Sequence, residues 1–215
     1  MSSASRDRIL AAIRRSQNNQ PKAEGSIEER LKLRPRGPLP SVEGELETVL
    51  IDRLLAAACS VAHASSPEQI GEKIIQWLQQ QDAGLKLLRS SSPLLDSIDW
   101  PDTVEVYDPA DGVDHITTLT EAFCAIAETG SLVKLSSNKS PTAMNFLPDN
   151  FICVVQRERI VRHIEDAWEQ VRAETDGMPR ALNIITGPSR TADVEQTIQL
   201  GAHGPRLMHV IIYCN

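Results

Sequence analysis

Long apolar runs, paired cysteines and an excess of positive charge are all missing from this sequence of 215 residues. The longest apolar runs, such as 54–59, fall far short of the roughly 20 residues that a membrane-spanning helix needs. The first residues also lack the apolar stretch of a secretory signal peptide. The sequence therefore predicts a cytoplasmic protein that does not span a membrane.

The four cysteines, Cys59, Cys124, Cys153 and Cys214, are far apart, and no Cys-x-x-Cys is present. This spacing matches neither an iron–sulfur ligand run nor a zinc knuckle. The five histidines show no metal-ligand spacing with one another or with cysteine. We therefore expect reduced thiols, no metal site and no cofactor of the chain's own.

The formal net charge is −7 because 29 acidic residues outnumber 22 basic ones. This sign argues against a general nucleic-acid or anionic-membrane binder, whose contact surface is basic. Residues 1–40 hold nine Lys/Arg and four Asp/Glu, a net of +5, which leaves −12 for the remainder. We expect two regions, a basic N-terminal helix with a proline-containing linker at 1–40 and an α/β domain at 41–215.

The basic region begins with a predicted helix over residues 3–17, in which Ile9, Leu10 and Ile13 form a narrow apolar stripe among arginines. Residues 18–40 are polar and interrupted by prolines, which predicts a linker or an extended segment. Two interpretations of this arm stay open: it packs on its own domain, or it docks a partner.

Helices and strands alternate from residue 43 onward, which predicts an α/β fold with a mostly parallel sheet flanked by helices. The clearest helix start is at Ser66, which can cap, with Pro67 in the first turn and Gln69 completing a capping box. Gly130 marks the turn of a β-hairpin, which is expected to decorate the sheet. Helices are predicted over 43–57, 67–84, 158–173 and 192–200, and strands over 59–62, 85–88, 103–107, 122–127, 131–135, 151–155, 181–186 and 207–213.

The segment 184–195 is the first candidate site, since a strand ends at Thr186 and a helix is predicted to open near Thr191. Open α/β sheets bind ligands at the carboxyl ends of their strands, and a helix N-terminus attracts anions. The residues expected to contact a small anion are Thr186, Gly187, Ser189, Arg190 and Thr191. Alternatively, Thr191 only caps the helix, and the acidic residues of its first turn would repel an anion.

Two turns supply the other candidates. In the loop before the last strand, His203 can act as an acid/base group and Gly204 can lie against the substrate, although a loop histidine is often structural. In the hairpin turn, apolar strands can desolvate Glu128, which suits a carboxylate to acid/base or nucleophilic work. Thr129 and Gly130 are then expected beside the substrate. The alternative is a plain turn whose carboxylate faces water.

Three segments together resemble the lactate utilisation protein C family, whose core is the LUD domain. They are Ala125–Val133, Ile185–Gln196 and Gly201–Arg206. The second segment is the most specific, and the resemblance covers roughly residues 43–213. The chain departs from the family pattern at Lys134–Ser140, which replaces a more apolar continuation that contains glycine.

The resemblance implies a fold akin to ribose-5-phosphate isomerase, glucosamine-phosphate deaminase and CoA-transferase. It also implies a part in oxidising L-lactate to pyruvate beside two iron–sulfur partner subunits, which alone would carry the clusters. The expected ligand is a small anion, either lactate or a phosphate- or CoA-type compound. The alternative is a stand-alone enzyme for a small anionic substrate, with Glu128 as nucleophile or base and Arg190 as the anion clamp.

Overall fold

Six α-helices and twelve strands occur in the part of the chain that the computed structural model describes. The described residues are 3–18, 27–33, 36–111, 117–191, 199–200 and 203–214. The helices are α1 (Ser3–Asn18), α2 (Ile27–Leu33), α3 (Leu46–Ala56), α4 (Pro67–Gln80), α5 (Pro93–Asp96) and α6 (Ile164–Glu174). The strands are β1 (Ser60–Ala64), β2 (Lys86–Arg89), β3 (Glu105–Tyr107), β4 (Thr117–Glu121), β5 (Cys124–Ile126), β6 (Ser131–Leu135), β7 (Asn150–Gln156), β8 (Ile160–Val161), β9 (Leu182–Ile185), β10 (Arg190–Thr191), β11 (Gln199–Leu200) and β12 (Leu207–Tyr213).

Close contacts divide the chain into two units, Met1–Leu39 and Pro40–Asn215. In the first unit, α1 confirms the helix predicted over 3–17. Helix α2 lies inside the segment predicted as a linker, and two glutamates in its first turn complement the helix dipole. The prolines suggested an extended segment, but they flank these seven residues and do not interrupt them.

Six parallel strands form the central sheet of the second unit, in the order β1–β12–β7–β4–β2–β3. This confirms the predicted α/β class with a mostly parallel sheet. Strand β12 lies between β1 and β7, so that Val210 is paired with Val61 on one side and Cys153 on the other. Among the described helices, none has the length and apolarity to cross a lipid bilayer.

Strand β4 lies between β7 and β2 in the middle of this sheet, yet no strand was predicted there. Three of its five residues are threonines, so the sequence lacks the apolar run that indicates a buried strand. Two of the three hydroxyls are paired with residues distant in the chain: Thr118 donates to the Met144 carbonyl at 3.0 Å, and Thr117 accepts from the Asn150 amide at 3.1 Å. Buried polar groups that are paired in this way can occupy the interior of a sheet.

Alternation along the strands gives the central sheet a core on each face. On β7, Phe151 and Cys153 face the core that includes helix α3. Ile152 and Val154 face the opposite core, which includes helix α4. Both faces are covered, which is the usual state of an all-parallel sheet.

A second sheet of four strands, in the order β8–β5–β6–β9, shares the core of α3. The hairpin predicted as a decoration, β5–β6, forms the centre of this sheet, and its antiparallel pairing is confirmed. Strand β9 pairs antiparallel with β6, so the strand predicted over 181–186 does not belong to the parallel sheet. Helix α6 packs against this second sheet through a third core that includes Ala167.

Two predicted helix starts are wrong. The helix predicted over 158–173 begins only at Ile164, because Ile160 and Val161 form β8 beside β5. The segment near Thr191 does not begin a helix: β10 pairs antiparallel with β11. The predicted helix is also wrong at its end, where residues 199–200 form β11, and residues 192–198 lie outside the described residues.

The start of α4 is confirmed with one change in its capping. Ser66 accepts a hydrogen bond from the Gln69 main-chain N–H at 3.3 Å, as predicted. The Gln69 side chain accepts from the N–H of Ser65 at 2.9 Å, one residue before the N-cap. The predicted capping box is therefore displaced by one residue.

Candidate functional site

Glu128 lies in the β5–β6 turn against a histidine that sequence reasoning did not single out. Its Oε2 is 3.0 Å from Nδ1 of His163, and the two side chains are 20% and 9% exposed. The main-chain N–H of Glu128 donates to the carbonyl of Arg162, which fixes the turn against the start of α6. A carboxylate that accepts from Nδ1–H would leave Nε2 as the free basic nitrogen, so the pair is suited to proton transfer.

Two of the three glycines predicted at the site lie against the C-terminal end of α3. Gly130 has φ +68°, and a Cβ added there would be 2.6 Å from Cβ of Arg53. Gly187 has φ +82°, and its Cβ would be 2.8 Å from the carbonyl oxygen of Ala57. Gly187 was expected to contact a small anion, and in the structure its backbone approaches this helix end, so both positions require glycine for packing.

A chain of three hydroxyls joins the hairpin turn to the end of β9. Thr129 Oγ1 is 2.6 Å from Ser131 Oγ, which is 2.6 Å from Thr186 Oγ1. The structure therefore brings together two predicted residues, Thr129 and Thr186, through Ser131, which was not predicted. Each of these hydroxyls can donate one hydrogen bond and accept another, so the three form a continuous network.

Two further predicted residues, His203 and Gly204, form a second group around Ser189. Its N–H donates to the Pro205 carbonyl at 2.8 Å, and its hydroxyl accepts from the His203 N–H at 3.3 Å. The Ser189 side chain also lies against Gly204, where an added Cβ would approach to 3.3 Å. The His203 side chain is exposed, so the loop holds its main chain while the ring faces outward.

Arg190 is placed differently from the predicted anion clamp. Its guanidinium donates to the main-chain oxygen of Ala57 at 2.9 Å, next to the contact made by Gly187. This hydrogen bond occupies part of the guanidinium while the residue stays exposed. The main chain of Thr191 lies in β10, and its side chain is outside the described residues.

A pocket of about 250 Å³, here called the strand-end pocket, lies where three adjacent strands of the central sheet end. Strands β2, β4 and β7 end at Arg89, Glu121 and Gln156, and β6 of the second sheet forms a further wall. The wall includes Ser90, Glu121, Lys134, Ser140, Gln156 and Arg159. Open α/β sheets bind ligands at this edge. The segment 184–195 that was predicted as a site lies elsewhere, since it includes the end of β9 in the second sheet.

Lys134 is the most unusual group of the strand-end pocket. It is 2% exposed, and its ammonium donates to the main-chain oxygen of Glu121. Burial lowers the pKa of Lys134, while nearby Cys153 and Glu121 oppose that shift. A lysine within the apolar strand β6 was the signal in the sequence that could have marked this pocket.

The other polar groups of the pocket are only partly engaged. Glu121 accepts from the Gln156 amide at 2.7 Å. Arg159 is paired with both carboxylate oxygens of Glu174, at 2.7 and 2.6 Å. The Ser140 hydroxyl is buried and has no hydrogen-bond partner within the described part of the chain. Lys134 therefore supplies a positive charge that forms no direct ion pair within the described part of the chain, although the nearby Glu121 carboxylate favours its charged form.

All four cysteines are free thiols. Burial raises the pKa of Cys59 to about 11 and that of Cys124 to about 12. It also raises the pKa of Cys153, which is fully buried in the core. These thiols stay protonated near neutral pH, as is usual for cysteines that pack in a core.

The parallel sheet, covered on both faces, is that of an α/β domain. Residues 113–213 match the LUD domain family. The resemblance stated from the sequence is confirmed. A crystal structure of a DUF162 family protein from Deinococcus radiodurans superposes with a TM-score of 0.62, covering 81% of this chain and 99% of that one at 24% identity, which supports the fold.

Several curated relatives of the chain are named lactate utilization protein C. The chain is 29% identical to lactate utilization protein C of Deinococcus radiodurans over 193 residues, 81% of this chain and 82% of that protein. It is 32% identical to the Geobacillus kaustophilus protein of that name over 120 residues. An uncharacterised protein of Neisseria meningitidis is 36% identical over 85 residues. The chain spans 50% of the Geobacillus relative and 36% of the Neisseria one.

Proposed function

We propose that this chain serves L-lactate utilisation in the cytoplasm, as the LUD-domain subunit of a system that oxidises L-lactate to pyruvate beside iron–sulfur partner subunits. The observation that carries the proposal is the match to lactate utilization protein C over 81% of the chain. The departure at Lys134–Ser140 does not disrupt the LUD domain, since Lys134 is accommodated within strand β6.

The cysteine spacing supports placing the clusters on the partners. Iron–sulfur clusters are commonly held by closely spaced cysteines. Here Cys59, Cys124, Cys153 and Cys214 are far apart in the sequence, and no Cys-x-x-Cys is present. The chain's own contribution is then to bind a small anionic ligand and to hold its partners.

The proposal is tested by deleting the gene in its own organism and growing the strain on L-lactate. We expect growth on L-lactate to fail and growth on pyruvate to continue, and we expect the intact gene to restore growth on L-lactate. A tagged copy purified from lactate-grown cells should bring along iron-containing subunits, detected by metal analysis. Normal growth of the deletion strain on L-lactate would contradict the proposal.

The pairing of Glu128 with His163 favours a second candidate, a stand-alone enzyme for a small anionic substrate. A carboxylate 3.0 Å from an imidazole, both largely sheltered, is an arrangement suited to a nucleophile or base. The test is turnover or thermal stabilisation of the purified chain with sugar phosphates and CoA esters, repeated with Arg190→Ala. Absence of any response would count against this candidate and leave the first one standing.

A further inference from the structure

The strand-end pocket holds a buried ammonium that forms no direct ion pair with a described carboxylate. Lys134 is 2% exposed, and the Glu121 main-chain oxygen is the hydrogen-bond acceptor of its ammonium within the described residues. The Glu121 carboxylate in the same wall acts on the ammonium at longer range and favours its charged form. Burying an ammonium without a directly paired counter-ion is costly, and an anion that enters beside it supplies one.

A second polar group in the wall also lacks a partner. The buried Ser140 hydroxyl makes no hydrogen bond within the described residues, although buried hydroxyls are normally paired. Ser140 and Lys134 lie at opposite ends of the segment that departs from the family pattern, and both line this pocket. A ligand in the pocket would meet a positive charge and a free hydroxyl together.

Glu121 decides which kind of anion fits. Its side chain lines the same pocket and accepts one hydrogen bond from Gln156, which leaves acceptor capacity on the carboxylate. A carboxylate repels a dianion such as phosphate more strongly than it repels a singly charged carboxylate, and it accepts a hydrogen bond from a hydroxyl. A ligand that has both a carboxylate and a hydroxyl satisfies Lys134 and Glu121 at once.

The size of the pocket limits the ligand further. Its volume of about 250 Å³ lies below the roughly 300–1,000 Å³ of sites for drug-sized molecules. We propose that the strand-end pocket is a binding site for a small 2-hydroxycarboxylate anion, whose carboxylate pairs with Lys134 and whose hydroxyl donates to Glu121. The site rests on this geometry, and only the choice of L-lactate as probe rests on the proposed function.

The test is calorimetric titration of the purified full chain with L-lactate, pyruvate and inorganic phosphate at one pH. We expect L-lactate to bind more tightly than pyruvate, which has no hydroxyl to donate, and more tightly than phosphate. Lys134→Met should weaken L-lactate binding at least about tenfold, because it removes a charged hydrogen-bond partner. Lys139→Met is the matched control, since Lys139 is exposed in the loop after β6 and is not part of the pocket wall. The affinity of this variant should match that of the parent chain.

A second variant keeps the test independent of Lys134. Glu121→Gln retains an oxygen acceptor for Gln156 but removes the carboxylate, so the preference for L-lactate over pyruvate should shrink. The proposal is overturned if the parent chain binds none of the three anions, if Lys134→Met binds L-lactate as tightly as the parent chain, or if phosphate binds more tightly than L-lactate.

The growth test and the titration separate the two proposals. A deletion strain that grows on L-lactate, together with Lys134-dependent binding, would remove the proposed function and leave the pocket assignment intact. Failed growth without any Lys134-dependent binding would do the reverse.

Discussion

Single residues fix the contact between helix α3 and the two turns that carry predicted site residues. Gly130 and Gly187 both have positive φ, and both would collide with the end of α3 if they carried a side chain. Arg190 donates to the carbonyl of Ala57 at the same helix end. The glycines of the two Thr-Gly pairs, 129–130 and 186–187, therefore pack against the same helix end, and all four residues are predicted site residues.

Replacing Gly130 by alanine tests this packing. The new Cβ would lie 2.6 Å from Cβ of Arg53 at φ +68°, so the backbone and α3 must both shift. We expect a loss of about 2–4 kcal/mol in the free energy of unfolding, from left-handed strain and overpacking. Urea denaturation measures it. Gly84→Ala is the control, because Gly84 is exposed with open space around its Cα; equal losses in the two variants would contradict the packing argument.

His209 provides a pH-dependent term at the residue scale. Its ring stacks on Trp77 with centroids 5.2 Å apart, and its Nδ1 is 2.8 Å from Oγ of Ser60. The Trp77 N–H donates to the same Oγ at 2.9 Å, which leaves the Ser60 hydroxyl to donate to Nδ1 of a neutral ring. Burial lowers the pKa of His209 from 6.5 to about 4.

This shift predicts loss of stability in acid. Since the folded protein binds the His209 proton less readily than the unfolded chain, the stabilisation is complete above pH 6.5 and is lost as the pH falls toward 4. Its full size is about 3 kcal/mol at 1.36 kcal/mol per pKa unit. Unfolding free energies of the parent chain and His209→Phe, measured from pH 7 to pH 4, should show a shallower slope in the variant. An unchanged slope would refute the assignment, and exposed His63, replaced by Gln, serves as control.

At the scale of elements, helix α4 is the one whose start the sequence specified most completely. Ser66, Pro67 and Gln69 each occupy the first turn or its cap, as predicted. Strand β4 shows the opposite case, because its threonines become buried only through neighbours that are distant in the chain. Local signals therefore defined the cap, while burial of a polar strand depended on the assembled sheet.

Ser66→Ala should cost about 1 kcal/mol of unfolding free energy, the usual loss when a serine N-cap is removed. In the parent chain the Gln69 N–H donates to Ser66 Oγ, and the substitution removes that acceptor. Ser65→Ala is the adjacent control, because the Ser65 hydroxyl donates only to the Gln69 side chain and caps no helix N–H. Denaturant midpoints that fall equally in both variants would contradict the role of Ser66 as cap.

At the scale of the whole molecule, the division of charge coincides with a division of the core. The three apolar cores draw their residues from the second unit, Pro40–Asn215. The apolar side chains of α1 and α2 that the structure describes, such as Ile9 and Leu31, are exposed. The charge of +5 in residues 1–40 is therefore carried by a segment whose described apolar side chains are not members of those cores.

Removing residues 1–39 should leave the thermal unfolding midpoint of the remaining chain unchanged, since the cores are intact. Scanning calorimetry of both forms measures this, and a marked drop would show that the N-terminal unit stabilises the second. If the basic arm docks a partner, the shortened chain should also fail to co-purify with partner subunits from lactate-grown cells. Undiminished co-purification would rule out docking through the arm.

The sequence by itself determined the α/β class, most strand positions, the α4 cap and the family resemblance, because alternation, capping and motif spacing are local properties of the chain. Only the tertiary structure decided that the hairpin belongs to a second sheet, that Glu128 meets His163, and that Lys134 is buried in the strand-end pocket. Each of these joins residues from different elements, and contacts of that kind arise from packing between distant segments. The lysine in strand β6 was visible in the sequence, but its burial at the carboxyl ends of β2, β4 and β7 follows from how the two sheets meet.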